Sequence, residues 1–113
     1  MENDVRPWGR YEVLLDSDYC KVKRIWVNSD ARPSYQYHYK RNEPGTIVQG
    51  EGVLTLDDVE SQVSVGDTIE VPIGVKHRIK NTGDEELVFI EVQHGTYFGE
   101  DDIVRVEDDY KRA

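Results

Sequence analysis

Between Ser34 and Glu43 the chain reads S-Y-Q-Y-H-Y-K-R-N-E. Side chains of a strand change face at every residue, so Gln36, His38 and Lys40 are expected on one surface and Tyr35, Tyr37 and Tyr39 on the other. An amide oxygen, an imidazole and an amine in a row, with Glu43 three residues further on, have the chemistry of a site rather than of a solvated face. A second histidine stands at the end of V-P-I-G-V-K-H. There Pro72 stops a strand, Gly74 permits a turn, and His77 is delivered at the start of the next strand, across a small barrel from His38 and Glu43. Two imidazoles, one carboxylate and one amide oxygen make a mixed nitrogen–oxygen site for one divalent metal ion, zinc first, with manganese, iron or nickel as alternatives. Two competing arrangements use the same residues: an ion pair between Lys40 and Glu43 that disables the metal site, and a Gln36 that only hydrogen-bonds inside the barrel.

Short strands must position these groups. Val5–Gly9 reads as an extended lead-in with Trp8 as an anchor, and Arg10–Leu15 as a strand closed by Asp16-Ser17-Asp18. In Tyr19–Val27, residues Cys20, Val22 and Trp26 alternate with Tyr19, Lys21, Lys23, Ile25 and Val27, and Cys20 is expected in the core. Thr46–Gln49 is short and β-branched. Val53–Leu56 and Val59–Val65, separated by Asp57-Asp58, predict a hairpin. Thr68–Val71, His77–Asn81 and Leu87–Gln93 complete the set, with one short helical turn expected between Gly99 and Val106. No apolar 3.6-residue period lasts three turns. Many short strands with turn signals between them predict one all-β domain over 1–113, a sandwich or barrel with its core at about 8–98 and an acidic extension over 99–113.

The 113 residues allow a single modest core, and the formal charge of −9 argues against nucleic acid and anionic lipid as partners. A lone cysteine excludes an intrachain disulfide. The first residues lack the pattern of a signal peptide, and the longest apolar run, Leu87–Ile90, is far short of a membrane span, so a cytoplasmic protein is expected. His94 is expected at a rim or turn. The three tyrosines, read as an exposed aromatic row, suggest a homodimer.

The two blocks around His38 and His77, the second running Gly66-x5-Pro72-x-Gly74-x2-His77-x3-Asn81, resemble the paired signature of the cupin superfamily. The resemblance goes further. The segments R-P-W-G-R-Y-E-V-L, S-Y-Q-Y-H-Y-K-R-N-E, V-P-I-G-V-K-H-R-I-K-N-T-G-D and G-E-D-D-I-V-R-V-E-D-D-Y are similar to the C-terminal domain of type II phosphomannose isomerases. That likeness implies a small cupin (double-stranded β-helix) domain and a stand-alone, metal-dependent isomerase interconverting mannose 6-phosphate and fructose 6-phosphate, or a related sugar phosphate. Gln36, His38, Arg41, Glu43 and His77 match the family's positions. Lys40 replaces its second histidine, and Pro44-Gly45 replaces a His-Trp pair. Gln36-x-His38, Glu43 and His77 also resemble the zinc set of type I phosphomannose isomerases, which implies a metal held without the missing histidine.

On this reading the metal acts as a Lewis acid for an enediolate formed when a base removes the α-proton. Lys40, if desolvated, and Glu91, if it faces inward, are the candidate bases, with Arg41 beside them. Arg41, Lys76 and Arg105 are candidates for holding the phosphate, bidentate geometry favouring an arginine; Arg105 could instead pair with the acidic stretch Glu100–Asp102. The departures at Lys40, Pro44 and Gly45 motivate a different class, a cupin that binds a sugar or other small ligand without catalysis. Another metal-dependent reaction on the same fold, such as oxygenation, is the third alternative.

Overall fold

A computed structural model of the chain describes residues 3–99 and 101–107. Those residues form twelve strands and no helix, as the alternation without a helical period predicts. In chain order they are β1 (Asn3–Arg6), β2 (Gly9–Asp16), β3 (Lys21–Val27), β4 (Tyr35–Tyr37), β5 (Arg41–Asn42), β6 (Gly45–Gln49), β7 (Glu51–Leu56), β8 (Val59–Ser64), β9 (Thr68–Ile69), β10 (His77–Asn81), β11 (Leu87–Gly95) and β12 (Val104–Glu107). One sheet runs β1-β2-β3-β11-β6-β9 with β5 paired onto β11; the other runs β12-β4-β10-β7-β8. No helix among the described residues is long and apolar enough to cross a membrane.

The inner faces of the two sheets meet over Tyr11, Val13, Ile25, Val27, Ile47, Leu54, Ile79, Leu87 and Phe89, with Trp8 packed against them. This apolar layer lies toward one end of the strands. Toward the other end, the inward positions change from apolar to polar. On β3 the buried residues are Lys21, Lys23, Ile25 and Val27, and on β11 the same face carries Leu87, Phe89, Glu91 and Gln93. The expectation for Cys20 is therefore corrected: it is half-exposed, on the outer side with Val22 and Trp26, and two lysines occupy the inner side.

The β7–β8 hairpin turns at Asp57 and Asp58, both at positive φ (45° and 70°), as two adjacent residues must be in a hairpin turn that follows the sheet twist. Gly74 adopts φ 79° in the turn that leads to His77, a conformation that a side chain would strain. In place of the helical turn expected over Gly99–Val106, Asp101 and Asp102 make a turn and β12 follows, antiparallel to β4. Glu100 and residues 108–113 lie outside the described residues, and with Glu100 goes that part of the Glu100–Asp102 stretch considered as a partner for Arg105.

Candidate metal centre

Three ligand atoms converge inside the polar end of the barrel. His38 follows the end of β4, Glu43 follows β5, and His77 opens β10, where it lies directly across from Gln36. The Nε2 atoms of His38 and His77 stand 3.0 and 3.2 Å from Glu43 Oε1, and the two rings are 5.2 Å apart. One potential ligand atom from each of His38, Glu43 and His77 lies within 4.8 Å of the other two.

Both rings are turned so that Nε2 faces inward. Nδ1 of His38 is 2.5 Å from the carbonyl of Asp102, and Nδ1 of His77 is 3.1 Å from the carbonyl of Val75. A carbonyl can only accept, so each Nδ1 carries a proton, and in the neutral ring Nε2 keeps its lone pair. This is the outer hydrogen bond that metal-binding imidazoles make. Nε2 of His38 is buried without a hydrogen-bond partner, although Glu43 is close by. Two buried lone pairs facing each other and a carboxylate are costly unless a proton or a metal cation joins them. The residues present fit a divalent metal. Gln36 lines the same cavity, half-buried, and its Oε1 accepts from Ser34 Oγ at 2.6 Å while one lone pair remains.

The second oxygen of Glu43 is occupied. Oε2 accepts from Arg41 Nε at 3.0 Å and from Gln93 Nε2 at 2.9 Å, which fixes the carboxylate plane and leaves Oε1 for the cluster. Burial alone would push the Glu43 carboxyl up; the two imidazoles beside it outweigh that and hold it well below its ordinary value. Burial likewise works against charge on His77, but the Glu43 hydrogen bond and charge hold its pKa above the ordinary value.

Glu91 faces inward, as required of a base, and lines the cavity. Burial, and next the charge of Glu43, push its carboxyl up to about 8, while Lys23 and the hydrogen bond from Gln93 Nε2 (2.7 Å) pull the other way. Gln93, only 1% exposed, thus bridges the two carboxylates. The cavity, of about 160 Å³, is lined by Gln36, His38, Arg41, Glu43, His77, Glu91 and Arg105 of the expected set, and also by Arg6, Lys23 and Gln93.

Two expected residues lie elsewhere. Lys40 is not on the site face: strand geometry ends at Tyr37, the chain bends at Tyr39 and Lys40, and Lys40 is exposed with its Nζ 5.1 Å from the Tyr97 ring centroid. The carboxylate of Asp102 causes the bend by accepting from the amides of Tyr39 (3.1 Å) and Lys40 (3.0 Å). The ion pair considered for Lys40 and Glu43 is made by Arg41 instead. Lys76 sits on the outside, its Nζ 3.3 Å from Asp58 and 5.6 Å from the Tyr35 ring, and it does not line the cavity. The aromatic row is not exposed as a unit either, since Tyr35 is buried, Tyr37 half-buried and only Tyr39 fully exposed. His94 is exposed near the end of β11.

Lys23, Gln93 and Asp102 escaped the reading of the sequence. The first two had a signal, because strict alternation from Ile25 and from Phe89 carries them to the inner face. Asp102 had none: its role depends on where the chain returns after sixty residues.

Comparison with known proteins agrees with this architecture. The oxalate decarboxylase of Bacillus subtilis superposes with a TM-score of 0.82 at 19% identity, covering 93% of this chain and 30% of that one. The cupin domain of Schizosaccharomyces pombe Cnp3 superposes with a TM-score of 0.74 at 16% identity, covering 76% and 64%. The fold is that of a cupin. Among sequence relatives, the xanthan biosynthesis protein XanB of Xanthomonas campestris is 43% identical over 96% of this chain. A mannose-1-phosphate guanylyltransferase of Salmonella montevideo is 40% identical over 95%. The chain spans only 23% of the length of each of these two relatives. The family profile described as mannose-6-phosphate isomerase C-terminal matches residues 2–108, and with that match across nearly its whole length the chain belongs to this family.

Proposed function

We propose that the chain is a metal-dependent aldose–ketose isomerase that interconverts mannose 6-phosphate and fructose 6-phosphate, or a closely related sugar phosphate. The observation that carries the reading is the pairing of a metal-competent His38–Glu43–His77 cluster with an inward carboxyl, Glu91, whose proton affinity lies near neutrality. A divalent cation held by Gln36, His38, Glu43 and His77 would supply a Lewis acid that makes the proton next to a sugar carbonyl more acidic.

The remaining work falls to the chain. Glu91, as carboxylate, removes the proton from C2 of the open-chain aldose and returns it to C1, while the hydroxyl proton of O2 passes to O1, which gives the ketose; a base with a pKa near the working pH combines availability with strength. Gln93 restrains Glu91 Oε1 through a 2.7 Å hydrogen bond and ties it to the same frame as Glu43. Arg41 keeps Glu43 in place from the other side. The apolar layer below the cavity, with Ile25, Ile79 and Phe89 in its wall, limits water around the reacting carbons.

The test is to supply the protein with zinc, manganese, iron or nickel in turn, add mannose 6-phosphate in heavy water, and follow both fructose 6-phosphate and the deuterium taken up at its C1 or at C2 of the remaining mannose 6-phosphate. Conversion with exchange is expected. Bound metal without either result would remove the isomerase reading and leave the binding module. That second reading has one observation of its own. At Gly45 an added Cβ would stand 2.6 Å from the carbonyl of Ile90, so the strand there packs backbone against backbone and offers no side chain to a substrate. Saturable binding of a sugar or sugar phosphate with no proton exchange is its signature.

A further inference from the structure

The whole chain carries a charge of −9, yet the cavity wall is cationic. Arg6, Lys23, Arg41 and Arg105 line it against Glu43 and Glu91. Arg41 has structural work, holding Glu43 Oε2 and donating from Nη1 to the carbonyl of Gly99 at 3.0 Å. Lys23 is placed differently. It lies in the middle of β3, 3% exposed, directly across from Glu91 in the pairing with β11. Its Nζ is 4.4 Å from the centroid of the Tyr11 ring. Arg6, on β1, brings its guanidinium carbon to 5.7 Å from the same ring, while its Nη2 pairs with Asp4 at 2.7 Å.

Lysine is among the residue types least often taken fully out of water, because the ammonium is strongly hydrated. A strand of this register pays that cost for a cation inside a cavity. Glu91, directly across from it, is one carboxylate against the several cations of the wall, so it offsets that cost only in part. A divalent cation at the histidines would leave the cavity with a clear excess of positive charge, enclosed by low-dielectric walls that strengthen its field.

We propose that Lys23, with Arg6 beside it on the Tyr11 ring, forms the anion-holding wall of the cavity and takes the phosphoryl group of a sugar phosphate. The assignment rests on the reading of the site as one for sugar phosphates, and it replaces Lys76, which faces away. The competing role for Lys23 is a counterion that only secures β3 to β11 through Glu91. That role affects stability and is blind to whether a sugar carries a phosphate.

Calorimetric titration of the manganese-loaded full chain with mannose 6-phosphate and with mannose distinguishes the two. The phosphorylated sugar is expected to bind at least tenfold more tightly than mannose. In Lys23→Met its affinity should fall by roughly tenfold to a hundredfold, the worth of a charged hydrogen bond, with manganese affinity undiminished. Wild-type affinity for mannose 6-phosphate in Lys23→Met overturns the proposal. Should Lys23→Met fail to fold, the wild-type protein labelled with carbon-13 at the lysine Cε decides: a shift of the Lys23 resonance on adding inorganic phosphate supports the site, and an unmoved Lys23 overturns it. Loss of binding in Lys23→Met when the wild type converts no sugar keeps the anion site and removes the isomerase. Conversion by Lys23→Met at the wild-type KM does the reverse.

Discussion

Glu91 shows how one residue's surroundings set both its chemistry and its effect on stability. Its ordinary pKa of 4.5 is pushed up to about 8 by burial first and by the Glu43 charge second. Between these values the folded chain holds a proton that the unfolded chain has released, so the contribution of Glu91 to stability falls as pH rises from about 4.5 to about 8. Metal-free Glu91→Gln should escape that fall, its melting temperature gaining on the wild type across this window in parallel thermal scans. The same variant should lose at least a hundredfold in isomerase turnover, measured under metal saturation, because a positioned base contributes about that much. Lys40 makes the opposite case. Held outside by the Asp102 clamp, Lys40→Ala should leave manganese affinity within about twofold of wild type by calorimetry, since an exposed charge couples weakly to a buried site.

At the scale of elements, the segment from Asp101 to β12 closes one side of the site. Its backbone orients His38, its Asp102 carboxylate fixes the bend after β4, and its Ile103 and Arg105 line the cavity. Removing an outer partner of a metal-binding imidazole typically costs ten- to a hundredfold in affinity. Asp102→Ala frees the bend and loosens the carbonyl that holds Nδ1 of His38, so its manganese affinity should drop about tenfold. Circular dichroism should still report a folded β protein, because the main core lies at the other end of the strands. An undiminished affinity would mean that the Tyr39–Lys40 bend holds without its clamp.

The whole molecule is a β-sandwich with an apolar end and a charged end, and the charged end gathers two imidazoles, two carboxylates and several cations in one cavity. Metal binding should therefore act as a folding ligand. At a free metal concentration a hundredfold above Kd the gain is about 2.7 kcal/mol, which raises Tm by roughly 10 °C or more for a domain of this size and is reversed by a chelator. Protons compete for the same lone pairs, and the Glu43 hydrogen bond and charge hold His77 above its ordinary 6.5 despite its burial. Metal affinity should accordingly rise with pH through and beyond that value, with proton release on binding measurable in buffers of different ionisation enthalpy.

How much of this was legible beforehand follows from the range of each interaction. Alternation, turn residues and the spacing of Gly66, Pro72, Gly74 and His77 are local properties, so the all-β class, the β7–β8 hairpin and the candidate ligands could be read along the chain. Residue types alone determined that a metal-competent set existed. Tertiary structure decided which members meet. It turned Lys40 outward through a carboxylate far along the chain, handed the Glu43 pairing to Arg41, and placed Lys23 and Gln93 on the inner wall because β3 and β11 lie side by side. Those outcomes depend on contacts between segments tens of residues apart, and a strand's own pattern says which residues share a face but not what that face will meet.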